Sequence, residues 1–160
     1  MKLGSLYSTK LPREKRLRMS VTQILIVEDF VPWQHFISIK LQSEIDLRII
    51  SVAADGLEAV HKAKEVQPDL ILMDLSLPGM NGIEATRQIR ILSPGSRILF
   101  LSEHADSNLI QAALDAGACG YILKSDSGSD LILGIRSVLL GQLFVSRSLT
   151  NWHENSDCVD

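Results

Sequence analysis

Residues 68–82 read Pro68-Asp69-Leu70-Ile71-Leu72-Met73-Asp74-Leu75-Ser76-Leu77-Pro78-Gly79-Met80-Asn81-Gly82. Leu70 to Met73 is an apolar run with no polar alternation. Such a run predicts a strand buried on both faces, as in a parallel sheet covered by helices. The run ends on a carboxylate, Asp74, after which Pro78, Gly79 and Gly82 supply turn chemistry. A carboxylate closing a buried strand needs a compensating partner, because an isolated charge there is costly.

The same pattern recurs on either side. Ile24-Leu25-Ile26-Val27 lies upstream, with Ile98-Leu99-Phe100-Leu101 and Tyr121-Ile122-Leu123 downstream. Leu47 to Val52 is more mixed and suits an edge strand. Strands are therefore expected near 23–28, 47–53, 69–74, 97–102 and 119–123. Amphipathic segments separate them. The first carries Trp33, Ile37 and Leu41 at i, i+4 spacing, with Pro32 near its first turn. The second stops before Pro68 and the third before Pro94. The fourth begins at a good cap, Asp106 or Ser107, and ends at Gly117. The fifth carries Leu131, Ile135, Val138 and Leu139 and ends at Gly141. Five β–α units in succession predict a doubly wound α/β domain with a five-stranded parallel sheet. The boundaries read as a basic, disordered leader over 1–20, the domain over 21–142 and a flexible polar tail over 143–160. A helix-turn-helix output domain needs about three helices, and the residues after Gly141 cannot supply them.

The chain has 160 residues, 46% hydrophobic and 22% charged, which suits one soluble domain. No apolar run approaches the roughly 20 residues of a membrane span, and no secretory signal is visible. The two cysteines, Cys119 and Cys158, have no metal-ligand spacing. They read as reduced thiols in a cytoplasmic protein, with Cys119 a small core residue. The net charge of −3 hides an asymmetry. Residues 1–18 hold six basic side chains against Glu14, a net of +5, which leaves −8 on the rest. An acidic body argues against nucleic-acid binding.

Polar residues interrupt the apolar runs at one kind of place. Glu28-Asp29 follows strand 1, Asp74 ends strand 3, Ser102 ends strand 4 and Lys124 follows strand 5. In a parallel sheet these strand ends open on one edge, where ligands bind at the reversal of strand order. Carboxylates at close range raise one another's pKa values unless a cation joins them. Mg²⁺ suits such a set, since it takes oxygen ligands and keeps positions open for phosphate oxygens. Lys124 is a point charge suited to phosphate, and Ser102 offers a hydroxyl. Asp74 can serve as a nucleophile that forms an aspartyl-phosphate.

The ordered set Ile24 to Asp29, Pro68 to Gly82, Leu101-Ser102 and Gly117 to Ser125 resembles the receiver domain of bacterial response regulators over roughly Gln23 to Gly141. That resemblance implies a flavodoxin-like fold with strand order 2-1-3-4-5. It implies that Asp74 is the phosphoacceptor and that Glu28 and Asp29 bind Mg²⁺ together with Asp74 and the backbone carbonyl of Ser76. It makes Ser102 and Tyr121 the hydroxyl and aromatic switch positions and Lys124 the phosphate-binding lysine. Ser76 and His104 fall where the family faces the hydrolytic water, so they are expected to tune phosphate lifetime. The partner implied is a sensor histidine kinase, and the output surface is helix 4, strand 5 and helix 5, used for a downstream protein or a homodimer. The chain would then be a phosphoprotein of two-component phosphorelay signalling and not an enzyme, catalysing only its own phosphotransfer and slow dephosphorylation. Gly141 to Ser146 resembles the interdomain boundary of the subfamily with a helix-turn-helix output domain. Ser125 stands where many receivers have a cis proline, and a cis bond before a non-proline residue costs about 3–4 kcal/mol.

Each site residue has a blander reading. Asp29 could cap the first helix, Ser102 could be an ordinary strand-end hydroxyl, Lys124 a solvated loop lysine and Tyr121 a core aromatic. Two further functions compete. One is a pseudo-receiver of the same fold that binds proteins without phosphorylation. The other is a phosphatase of the haloacid dehalogenase type, which needs a second Asp two residues beyond the nucleophile, where this chain has Ser76.

Overall fold

The computed structural model describes residues 20–149. The basic leader, Cys158 and the end of the polar tail lie outside the described residues. The elements follow the expected alternation: β1 (Thr22–Val27), α1 (Val31–Gln42), β2 (Leu47–Ala53), α2 (Gly56–Val66), β3 (Leu70–Met73), α3 (Gly82–Leu92), β4 (Arg97–Ser102), α4 (Ser107–Asp115), β5 (Gly120–Leu123), α5 (Ser127–Leu139) and β6 (Phe144–Val145). Strand order is β2-β1-β3-β4-β5-β6, with all pairs parallel. The reversal between β1 and β3 is the switch point at which such sheets bind ligands.

Alternation along the strands sorts the core into two layers. Leu25, Val27, Ile71, Met73, Ile98, Phe100, Tyr121 and Leu123 face α2, α3 and α4. Ile24, Ile26, Leu70, Leu72, Leu99, Leu101 and Ile122 face α1 and α5. Side chains on a strand point alternately to its two faces, so an unbroken apolar run serves both layers. The helix stops are those the sequence marks. Asp106 caps α4 by accepting from the N–H groups of Asn108 and Leu109. Gly117 and Gly141 take φ of 111° and 80°, a region glycine enters without a Cβ penalty.

Among the described residues the sheet has six strands, which corrects the expectation of five. Two residues are too few to show a period, so β6 leaves no pattern of its own. Its position is set by packing. A Cβ on Gly120 would lie 2.7 Å from the Phe144 carbonyl oxygen, and one on Gly134 would lie 3.0 Å from the Phe144 ring. Two absent side chains thus open a notch that seats Phe144 beside β5. The Ser146 N–H donates to the Tyr121 carbonyl at 3.0 Å, and the Leu123 N–H donates to Ser146 Oγ at 2.8 Å. Buried Asp130 accepts from the Arg147 N–H at 3.2 Å. Cys119 is buried, as expected of a small core residue. Sequence spacing carries no information on which distant segments meet. Among the described residues no helix is long and apolar enough to cross a membrane.

Candidate functional site

The parallel register brings the strand ends to one edge. Val27 pairs with Met73, Met73 with Phe100 and Ser102 with Leu123, so the residues that follow converge. The Asp74 N–H donates to the Val27 carbonyl, which fixes the first loop residue on the sheet. Behind it Gly82 lets α3 approach, since a Cβ there would lie 2.3 Å from the Asp74 carbonyl oxygen. The result is a shallow crevice of about 200 Å³ lined by Glu28, Asp29, Phe30, Trp33, Asp74, Ser76, Glu103, His104 and Lys124. That volume holds a phosphoryl group with a few waters and little more.

Lys124 is only 7% exposed, which removes the reading of a solvated loop lysine. Its Nζ lies 2.8 Å from Glu28 Oε2 and 3.4 Å from Asp74 Oδ2. Glu28 Oε1 also accepts from the Phe30 N–H at 3.1 Å, and Asp74 Oδ1 accepts from the Ser76 N–H at 3.3 Å. Burial pushes the carboxyl pKa of both Glu28 and Asp74 above the ordinary carboxylate range, and Lys124 opposes the shift without cancelling it. One ammonium between two buried carboxylates leaves the pair short of positive charge.

Asp29 is exposed and does not cap α1. Phe30 occupies the cap position and makes no side-chain cap bond. Glu28, Asp29 and Asp74 can each offer an oxygen within 4.8 Å of the others. An all-oxygen donor set of that size fits a hard divalent cation, and the unbalanced charge gives the reason to bind one.

Ser102 is fully buried, and its Oγ accepts from the His104 N–H at 3.1 Å. Tyr121 is also fully buried, stacked on Phe100 with centroids 6.0 Å apart. Its hydroxyl donates to the His104 carbonyl at 2.7 Å. His104 is thus held through its backbone by both expected switch residues. Its ring Nε2 lies 2.8 Å from Ser76 Oγ, across the mouth of the crevice. All eight singled-out residues (Glu28, Asp29, Asp74, Ser76, Ser102, His104, Tyr121, Lys124) therefore lie in or against one site. Every described peptide bond is trans, Lys124–Ser125 included. Phe30, Trp33 and Glu103 line the crevice as well, and sequence reading misses them. Trp33 falls on the helical stripe of Ile37 and Leu41, and helical spacing reports which face a residue takes, not how near it stands to the end of the sheet.

The sequence model of the response regulator receiver domain matches residues 24–136. The transcriptional activator protein ExaE of Pseudomonas putida is 40% identical over 97 residues, which cover 61% of this chain and 45% of that protein. The oxygen regulatory protein NreC of Staphylococcus aureus (strain JH9) is 38% identical over 129 residues, covering 80% of this chain and 59% of NreC. The chain thus spans about half the length of the curated relatives it matches. Among solved structures, a LuxR-family two-component response regulator from Aurantimonas sp. SI85-9A1 superposes with a TM-score of 0.78. It is 33% identical, with coverage of 82% of this chain and 94% of that one. With the sheet order and the crevice already in place, a match over most of the chain leaves one assignment: it belongs to the family of response regulator receiver domains of two-component systems.

Proposed function

We propose that this chain is a signalling switch in which Asp74 accepts a phosphoryl group from the phosphohistidine of a sensor histidine kinase. The observation that carries the reading is the placement of Lys124 Nζ 3.4 Å from Asp74 Oδ2, at the rim of a three-carboxylate cluster. A cation and a nucleophilic carboxylate side by side are what phosphoryl transfer asks for, since it depends on positioning and charge neutralisation. A carboxylate oxygen of Asp74 attacks phosphorus as the bond to the donor nitrogen breaks, and the imidazole leaves with that electron pair. Lys124 moves from Glu28 toward the transferred phosphoryl oxygens. Glu28, Asp29, Asp74 and the Ser76 carbonyl would hold Mg²⁺, whose chemistry is to offset the carboxylates and the phosphoryl charge. In this capacity the chain is not a turnover enzyme but an acceptor that assists its own labelling.

The output follows from the ties on His104. When Ser102 Oγ turns to a phosphoryl oxygen, its bond from the His104 N–H is lost. The segment before α4 then keeps only its ties to Tyr121 and Ser76 at His104, and the face formed by α4, β5 and α5 shifts as a population biased by a local charge. That face is the docking surface for a downstream protein or a second copy. The Ser76–His104 pair meets attacking water and sets the phosphate lifetime. His104→Ala should alter that lifetime without preventing labelling, and an unchanged dephosphorylation rate would remove the role.

The deciding experiment incubates the protein with Mg²⁺ and acetyl phosphate and weighs it intact beside Asp74→Asn. One added phosphoryl group in the parent alone is expected. No adduct, and no beryllofluoride binding in its place, would leave the protein-interaction module as the reading.

A further inference from the structure

Trp33 stands in the first turn of α1, half-buried, with its ring edge-on to Phe36 at 5.1 Å. Lys124 Nζ lies 5.1 Å from the centroid of the same ring. The ammonium therefore has Glu28 and Asp74 as two neighbours and the indole as a third. We propose that Trp33 is a positioning residue for phosphoryl transfer, its indole forming one side of a socket that keeps Lys124 beside Asp74. This rests on the reading of Asp74 as the acceptor.

A lysine stem is flexible, and nothing in its own chemistry keeps the ammonium over a crevice open to water. Lysines at such rims reach outward and keep their heads solvated. Lys124 does not, at 7% exposure. Of its two carboxylates, Glu28 is the nearer by 0.6 Å, at 2.8 Å against 3.4 Å. The carboxylates by themselves would thus favour the residue that is not the acceptor. The indole acts differently. Its face attracts a cation within about 6 Å of the centroid, yet it offers no lone pair. The ring contact therefore adds no hydrogen bond that Lys124 must break when it exchanges Glu28 for a phosphoryl oxygen. The ring is itself steadied by the edge-on contact with Phe36, and such pairs favour a fixed geometry.

The test compares initial labelling rates from acetyl phosphate with Mg²⁺ in the parent, Trp33→Leu and Trp33→Phe, each checked for its fold. Leucine keeps the apolar contact and removes the ring face. Trp33→Leu should slow labelling roughly tenfold, and Trp33→Phe should return it to within about threefold of the parent. In a Lys124→Met background the two Trp33 substitutions should make no difference, because contacting residues that act through one another are not additive. Equal rates in parent and Trp33→Leu, or an equal Trp33→Leu penalty with and without Lys124, would overturn the positioning role and leave the acceptor reading intact. A parent that takes up no phosphoryl group overturns both. If Trp33→Leu fails to fold, Trp152→Phe leaves Trp33 as the sole indole. Its emission should then change on adding Mg²⁺ with beryllofluoride, and a constant emission would again overturn the role.

Discussion

Lys124 lies between Glu28 and Asp74, and Arg136 lies between Glu44 and Asp46; each is one cation with two carboxylates, and the two clusters behave as different kinds of matter. Arg136 spreads its guanidinium over both partners, with Nη1 at 2.5 Å and Nη2 at 2.8 Å from the two Asp46 oxygens, and Nη2 at 2.7 Å from Glu44. Its side chain is 36% exposed, so water shares the work. Hydrogen bonding to Arg136 holds the Asp46 carboxyl below its ordinary range. Lys124 is a point charge with unequal contacts, 6% exposed, and its carboxylates are pushed upward by burial. The lesson is that composition does not decide what an ionic cluster does. A planar fork with three hydrogen bonds to two carboxylates ties α5 to the loop before β2. A buried, under-compensated set stores an unmet demand for positive charge.

Removing the cations should separate the two most sharply. Lys124→Met is expected to slow labelling by acetyl phosphate far more than any Trp33 substitution while leaving a measurable residual rate. In urea without divalent cations it should also cost about 3–5 kcal/mol, the usual penalty for stranding a buried charge. An unchanged unfolding midpoint would show that the carboxylates are already neutral.

The clusters should also respond to pH with opposite slopes. For Glu28 and Asp74 the folded pKa lies above the unfolded one, so their favourable contribution is complete below the ordinary carboxylate range. It is lost as pH rises through the raised values, by at most about 1.4 kcal/mol per group per pH unit. Added Mg²⁺ should flatten this loss. For Asp46 the folded pKa is depressed, so its contribution is present above the ordinary range and disappears as pH falls. Unfolding midpoints with EDTA and with Mg²⁺ across the acidic range would expose either slope, and identical curves would contradict the metal reading.

Asp74→Asn should remove one repelling carboxylate while keeping the shape. A gain of about 1 kcal/mol in EDTA is expected, alongside complete loss of labelling. Arg136→Ala should move least. A fall in melting temperature of no more than about two degrees, weakened by salt, is typical of an exposed pair. Its labelling rate should equal the parent's.

Much of this was readable in the chain. The runs at Ile24, Leu70, Ile98 and Tyr121 locate four strands to within a residue or two, because a strand buried on both faces has no polar positions to blur its ends. Glu28, Asp74, Ser102 and Lys124 stand out because each breaks such a run. Trp33 and β6 were hidden for opposite reasons. Trp33 fits a helical stripe well enough to be explained without a site. Phe144-Val145 is too short to show any pattern, and its place depends on two glycines, Gly120 and Gly134, that are distant in sequence. The contact of Ser76 with His104 was legible only as two separate positions. Their meeting at 2.8 Å is a property of the folded loops.

The sixth strand covers the margin of β5. A bare strand margin invites a strand from elsewhere to add itself. Here residues 144–146 already occupy the bonding groups along β5. A segment joined to its site by a short stretch of chain acts as if present at a concentration on the order of millimolar. An incoming strand competes against that standing concentration, so a partner gains more by reading the helices and loops around β5 than by pairing with the strand itself.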